Sequence, residues 1–285
     1  MRLLLTAFAA SLLALSNASA QPVAARLQQY MSARARLGQF NGSVLVAQNG
    51  KILLEQGYGL ANVEHQVRAT AATRYEIASI TKNFTAAAIL RLQEERKLSV
   101  DDSLCHWVTA CPAAWQPVTI AHLLHHTSGI PDYEAPLDLG SPAYLDFMVQ
   151  SRSAERILDA ARSKPLDFAP GSKFQYSNTA YILLGTIIER ASGKPFQQFL
   201  RERVLGPARI PAMQFVSGST IVPRIANAYA KRDFGFARTQ AGMTLDDQTL
   251  NTIPWLPLDG PHADANLVAT PHDLWQWTQA LSDST

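Results

Sequence analysis

Hydrophobic positions change their period several times along the chain, and each change marks an element. Val23, Leu27, Tyr30, Met31 and Ala35 recur at helical spacing, which predicts an amphipathic helix over residues 23–37. Residues 43–48 and 51–56 are β-prone runs joined by Asn49-Gly50, the pair a tight hairpin favours because its turn needs positive φ. A second helix is predicted to begin near Ser79 and to run through Phe84, Ala87, Ala88 and Leu92. It is apolar on most sides until Glu94-Glu95-Arg96-Lys97, so it enters the core end first.

From about residue 101 to about 260 strand signals thin out, and residues 118–126, 144–161 and 179–191 read as helices. The last of these carries Ala180, Leu183, Leu184, Ile187 and Ile188, with Gly193 as its stop. Thr270-Pro271-His272-Asp273 combines an N-cap, a first-turn proline and a capping acid ahead of Leu274, Trp275, Trp277 and Leu281. There is no internal repeat and no low-complexity linker. The order of elements is that of an α+β fold.

Ahead of these elements stand Arg2, an apolar run over residues 3–15, and Ala18-Ser19-Ala20, the layout of a cleavable export signal. The run is too short for a membrane-spanning helix. Residues 1–20 are therefore expected to be removed, leaving residues 21–285 as a soluble domain in the periplasm or outside the cell. Later in the chain no apolar run reaches spanning length. Lys plus Arg total 25 against 23 Asp plus Glu, a balance that gives no electrostatic case for nucleic acid or a charged membrane surface. Cys105 and Cys111 lie in a connection holding Pro112, Trp107 and Trp115. In an oxidising compartment they either close a small disulfide loop or remain two thiols, and two cysteines alone make no zinc site.

Candidate chemistry begins with Ser79-Ile80-Thr81-Lys82 at the predicted helix start. Residues three apart share a helix face, so the hydroxyl and the amine can touch. A serine needs an adjacent base to become a good nucleophile, and Lys82 serves as one only where burial or neighbouring charge favours its neutral form. The N–H groups of a helix start favour negative charge on an attacked carbonyl. A surface Ser and Lys is the plain alternative, and the apolar surroundings argue against it. Tyr176-Ser177-Asn178 follows the turn signal Pro170-Gly171 and precedes the next helix. Tyr176 can relay a proton to a leaving group if a cation such as Lys82 is near, and Asn178 can contact substrate or hold Lys82. The alternative is a packing tyrosine beside a helix N-cap at Asn178.

Together and in this order these residues resemble the serine β-lactamase and penicillin-binding-protein superfamily, in particular its class C β-lactamase-like branch. That branch also holds carboxypeptidases, D-aminopeptidases and esterases. The resemblance runs from about Phe40 to Leu281. It includes Gly57-Tyr58-Gly59-Leu60-Ala61-Asn62, Tyr75-Glu76-Ile77-Ala78-Ser79, residues 118–133 (VTIAHLLHHTSGIPDY), 170–178 (PGSKFQYSN) and 263–274 (ADANLVATPHDL). It implies Ser79 as nucleophile, Lys82 as its base partner, Tyr176 as proton relay and Asn178 as a substrate or lysine contact. It also implies an antiparallel sheet flanked by helices, plus a mostly helical region.

Two features depart from the family pattern. The third motif, Lys or His followed by a small residue and Gly, does not occur in this chain. The domain is therefore expected to be C-terminally incomplete, with only the hairpin contributing to its main sheet and one oxyanion donor lacking. Ala265-Asn266 stands where the family often has paired glycines, which predicts altered backbone geometry.

His122, His125 and His126 have the i, i+3, i+4 spacing of metal ligands but lack the glutamate of H-E-x-x-H, and they match a structural turn of the family. The resulting reading is acyl transfer without cofactor or metal, on a small-molecule ester, amide or D-amino-acid peptide bond. A β-lactamase or D-Ala-D-Ala carboxypeptidase is the enzymatic rival. A non-catalytic module binding cell-wall peptides or a protein is the rival of another class. Expressed with its own leader in a bacterium, the chain is expected in the periplasm beginning at Gln21. Intact mass decides this, and Met1 retained on soluble cytoplasmic protein refutes it.

Overall fold

The structure is a computed structural model that describes residues 21–133, 153–216, 221–230, 251–252 and 263–283. The leader reading and residues 144–152 of one predicted helix lie outside the described residues.

Helix α1 (Val23–Arg36) precedes an antiparallel hairpin of β1 (Gly42–Gln48) and β2 (Lys51–Tyr58). Asn49 (φ 50°) and Gly50 (φ 73°) both adopt the left-handed region that the turn requires. A register shift between Val46 and Ala47 adds a bulge. Among the described residues β1 and β2 pair with each other, α1 lying against β2 and the C-terminal helix against β1. Burial here is shallow. The amphipathic stripe placed α1 correctly, yet no residue of that helix is buried.

The remaining strands are two or three residues long. Leu60–Asn62 (β3) pairs with Val67–Arg68 (β4), and Tyr229–Ala230 pairs with Asn251–Thr252. A three-stranded sheet has Leu267–Ala269 at its centre, between Tyr75–Glu76 and Gln214–Phe215. The sequence pattern predicts none of these pairs, because alternation cannot be read over two residues.

The core is helical. The segment Ala78–Ile80 is a 3-10 turn leading into α2 (Thr81–Glu94), so the α-helix proper starts two residues after Ser79. Short helices at Leu104–Trp107 (α3) and Ile120–Leu124 (α4) and a longer one at Ala154–Arg162 (α5) surround α6 (Asn178–Ser192). Residues 178–185 of α6 are all buried, Asn178 and Thr179 among them, while Glu189 and Arg190 near its end are exposed. Ser177, not Asn178, caps α6: its Oγ accepts the Ala180 N–H at 3.1 Å. Gly193 closes it in the left-handed conformation (φ 68°), its N–H donating to Glu189 O at 2.8 Å. After α7 (Phe196–Leu200) and a π-type turn (Arg201–Leu205), the chain returns through the central strand to α8 (Pro271–Asp283). At its start the Asp273 carboxylate accepts the Thr270 N–H at 2.8 Å and Thr270 Oγ1 accepts the Asp273 N–H at 3.1 Å, the reciprocal cap the sequence predicts.

Cys105 and Cys111 are joined as a disulfide, Cα–Cα 5.3 Å, which resolves the two sequence alternatives. Arg190 of α6 donates to Thr109 Oγ1 inside that loop at 3.0 Å. Phe84 of α2, fully buried, stacks on Trp277 of α8 with centroids 4.6 Å apart and so ties the last helix to the core. Phe84→Ala is expected to cost about 3–5 kcal/mol, read as a lower denaturant midpoint at constant m. A loss under about 1 kcal/mol would show that α8 docks by other contacts.

Candidate active site

The strand Leu267–Ala269 grips the chain on both sides of Ser79. Leu267 O accepts the Ile77 N–H at 2.9 Å, and the Leu267 N–H donates to Thr81 Oγ1 at 3.3 Å. Between these anchors Ala78 is driven to φ 42°, a conformation costing an L-residue roughly 1–2 kcal/mol. The result separates two neighbouring side chains. Ser79 stands exposed at the head of the turn, while Lys82, one turn later, is 5% exposed.

Lys82 Nζ has three oxygen partners: Asn178 Oδ1 at 2.8 Å, the Asp264 main-chain carbonyl at 2.9 Å and Ser79 Oγ at 3.2 Å. The Tyr176 hydroxyl donates to Ser79 Oγ at 2.8 Å from the solvent side, the residue being 42% exposed. Lys82 Nζ lies 5.0 Å from the Tyr176 ring centre and 5.5 Å from that of Tyr181. Ser79, Lys82, Tyr176 and Asn178, the four residues singled out by sequence, are thus linked in one series, Tyr176 to Ser79 to Lys82 to Asn178. Because Ser177 supplies the helix cap, the Asn178 side chain is free of that duty and reaches Lys82.

Two buried carboxylates complete the surroundings. Asp132 Oδ2 accepts from Asn178 Nδ2 at 3.2 Å, which turns the amide oxygen toward Lys82. Asp264 Oδ2 accepts from the Tyr133 hydroxyl at 2.9 Å, while the Tyr133 N–H donates to Thr179 Oγ1 at 2.9 Å. Burial first, then the neighbouring Tyr176, raises the pKa of the Tyr181 phenol, whose hydroxyl donates to Leu124 O at 3.2 Å. Burial first, then the charge of Lys82, holds His126 below the ordinary imidazole range.

Sequence reasoning did not assign Asp132, Tyr133, Asp264 or Tyr181 to the site. The signal available was a lone carboxylate within Ala263-Asp264-Ala265, a costly group to bury without a purpose. Asn266, fully buried, takes up φ 77°, so the backbone keeps a glycine-like conformation without glycine. Asparagine is one of the side chains that tolerate this left-handed region. The three histidines diverge: His122 Nδ1 accepts the Thr119 N–H at 3.2 Å, His125 is exposed, and His126 lies against Tyr176 and Tyr181.

The family model described as Beta-lactamase matches residues 23–285. The chain belongs to the β-lactamase family. Penicillin-binding protein 4* of Bacillus subtilis (strain 168) is 32% identical over 247 residues, covering 85% of this chain and 52% of that protein. The chain thus spans about half the length of that relative. The penicillin-binding protein from Bacillus halodurans superposes with a TM-score of 0.72 at 29% identity, over 88% of this chain and 72% of that one. The D-amino acid amidase from Ochrobactrum anthropi SV3, solved with D-phenylalanine, gives a TM-score of 0.74 at 25% identity, over 90% and 71%. The α+β architecture is therefore the β-lactamase/transpeptidase fold, as the sequence resemblance implies.

The strain at Ala78 is testable in this β-lactamase-family chain. Ala78→Gly removes the Cβ conflict and is expected to stabilise the protein by about 1 kcal/mol, less the chain entropy that glycine adds. A urea midpoint below that of the wild type would show that the turn is not strained.

Proposed function

We propose that this chain is a serine hydrolase that forms an acyl-enzyme on Ser79. One observation carries the reading: two hydrogen bonds converge on Ser79 Oγ, from Lys82 at 3.2 Å and from Tyr176 at 2.8 Å. Of the three partners of Lys82, Asn178 Oδ1 and the Asp264 carbonyl can only accept, whereas the Ser79 hydroxyl can also donate. To act as the base the amine must be neutral, giving its two protons to the obligate acceptors and its lone pair to the serine, which reverses the hydrogen bond that Nζ donates to Ser79 Oγ here. The partner set thus selects Ser79 as the group that Lys82 deprotonates.

The proton balance follows. Ser79 Oγ attacks the substrate carbonyl as its proton passes to Lys82 Nζ. The resulting ammonium has three donors for the three oxygens already around it. Collapse of the tetrahedral species breaks the bond to the leaving group, which takes a proton from the Tyr176 hydroxyl. The phenolate left behind is stabilised by the Lys82 charge and regains its proton from it. Water repeats the sequence to release the acid. The Ser79 N–H, at the head of the 3-10 turn, serves as one oxyanion donor. These steps require no cofactor.

An ester, amide or D-amino-acid peptide is the proposed substrate, supported by the match to the amidase. The name of the Bacillus subtilis relative favours a second reading, a penicillin- or D-Ala-D-Ala-directed member. Export to the periplasm or beyond belongs to the same proposal. The leader-like start supports it, as does the Cys105–Cys111 disulfide, a bond that persists in oxidising compartments.

A serine-reactive phosphonate is expected to label Ser79, and Ser79→Ala to abolish acyl-enzyme formation. Lys82→Ala and Tyr176→Phe should each slow it by about 10²-fold or more, with less than additive effect in combination. Turnover of D-amino-acid amides and p-nitrophenyl esters should exceed that of a chromogenic cephalosporin. Unchanged turnover in Ser79→Ala refutes the nucleophile, and faster cephalosporin hydrolysis favours the second reading.

A further inference from the structure

Tyr176 poses a positioning problem. It lies on the exposed segment ahead of α6, outside any helix or strand, and is itself exposed. Its hydroxyl must nevertheless stay within hydrogen-bond distance of Ser79, because misplacement by about 1 Å can cost 10²-fold in rate. Something other than secondary structure has to hold it.

The contacts of His126 answer this. The His126 carbonyl accepts the Gln175 N–H at 2.9 Å, and its Nδ1 accepts the Ser177 N–H at 3.1 Å. One residue thus binds the backbone on both sides of Tyr176. Its ring also packs on the Tyr176 ring, centroids 4.5 Å apart at 30°, and is backed by Tyr181 at 5.1 Å and 32°. Phe174 meets the same imidazole edge-on at 5.9 Å.

His126 follows the C-cap of α4 at φ 57°, a left-handed position that histidine, like asparagine, occupies more readily than most side chains. Glycine or asparagine can therefore replace it without altering the turn.

We propose that His126 is the positioning residue of Tyr176, a backbone and ring clasp that keeps the phenol aimed at Ser79. The clasp requires an unprotonated Nδ1, since a protonated one cannot accept the Ser177 N–H. The surroundings are consistent with this: Tyr176 and Tyr181 supply the ring faces, and partial burial, then the charge of Lys82, disfavours the imidazolium. This inference rests on the serine-hydrolase reading and assigns no contact between His126 and substrate.

The test compares wild type with His126→Gly and His126→Asn, two residues at ease at positive φ. Both are expected to fold with a denaturant midpoint at or above that of the wild type for the glycine variant and near it for the asparagine variant. In both, phosphonate labelling and kcat should fall roughly 10- to 100-fold with KM little changed. In a Tyr176→Phe background the same changes should cost nothing further, because the phenol they position is gone. Amide exchange supplies a readout that does not need activity. Ser177 should lose protection in His126→Gly while Gln175, bonded to a carbonyl, keeps its own. Wild-type rates in both variants, an undiminished loss in the Tyr176→Phe background, or unchanged Ser177 protection would each overturn the proposal. Wild-type protein that is never labelled at Ser79 counts instead against the hydrolase reading, and Ser177 exchange still decides the clasp.

Discussion

A lysine buried at 5% exposure is the constraint on which the rest of this structure depends. Taking an amine or ammonium out of water costs several kcal/mol unless its protons find acceptors. Lys82 finds them in three places, the nearest on its own turn and the others 96 and 182 residues further along the chain. The packing of α2 against α6, the return of the chain at residues 263–269 and the placing of Asp132 behind Asn178 all serve that one nitrogen. No single helix could do so, since residues on one helix reach only their neighbours a turn away.

The same arrangement divides the site into a fixed inner half and an accessible outer half. Inside, Lys82, Asn178, Asp132 and Asp264 are buried and hydrogen-bonded, so their positions are over-determined. Outside, Ser79 and Tyr176 are exposed, as groups that must meet a substrate carbonyl have to be. Of the non-glycine residues in the left-handed region, two stand directly behind these exposed groups, Ala78 before the serine and His126 beneath the tyrosine. Such conformations persist where surrounding contacts impose them. Here the imposing contacts are the central strand around Ala78 and the Gln175 and Ser177 amides around His126.

Stability is distributed unevenly around this centre. The deep core lies among α2, α4, α5, α6 and α7, where Phe84, Ile89, Leu92, Leu123, Leu183, Ile187 and Phe199 are almost wholly excluded from water. The hairpin and α1 bury far less, Leu54 and Tyr58 being the large apolar residues of β2 that reach the interior. The hairpin is joined to the rest by Ser43 of β1, whose Oγ lies 2.7 Å from both Thr70 O and the Tyr75 hydroxyl, and by α8, through its packing on β1 and through His272, whose Nδ1 lies 3.0 Å from Glu55 of β2. The Phe84–Trp277 contact at the other face of α8 therefore couples the hairpin to the helix that carries Lys82.

Local patterns determined the elements whose signals span enough residues to be periodic. The Asn49-Gly50 turn, the apolar spacing of α6 with its Gly193 stop and the reciprocal cap of α8 were legible because each depends on φ preferences and side chains a few positions apart. The S-x-x-K spacing likewise placed Lys82 one turn from Ser79. Tertiary structure decided everything that links distant segments. It assigned the α6 cap to Ser177, freeing Asn178 for the lysine, and it closed Cys105 on Cys111. It also brought in Asp132 and Asp264, and turned His126 from one member of a ligand-like spacing into the support of Tyr176. Two-residue strands and buried carboxylates leave no periodic trace. The reason is physical: a strand pair or a buried charge is stable only through partners far along the chain, and a sequence read in windows contains no distances between them.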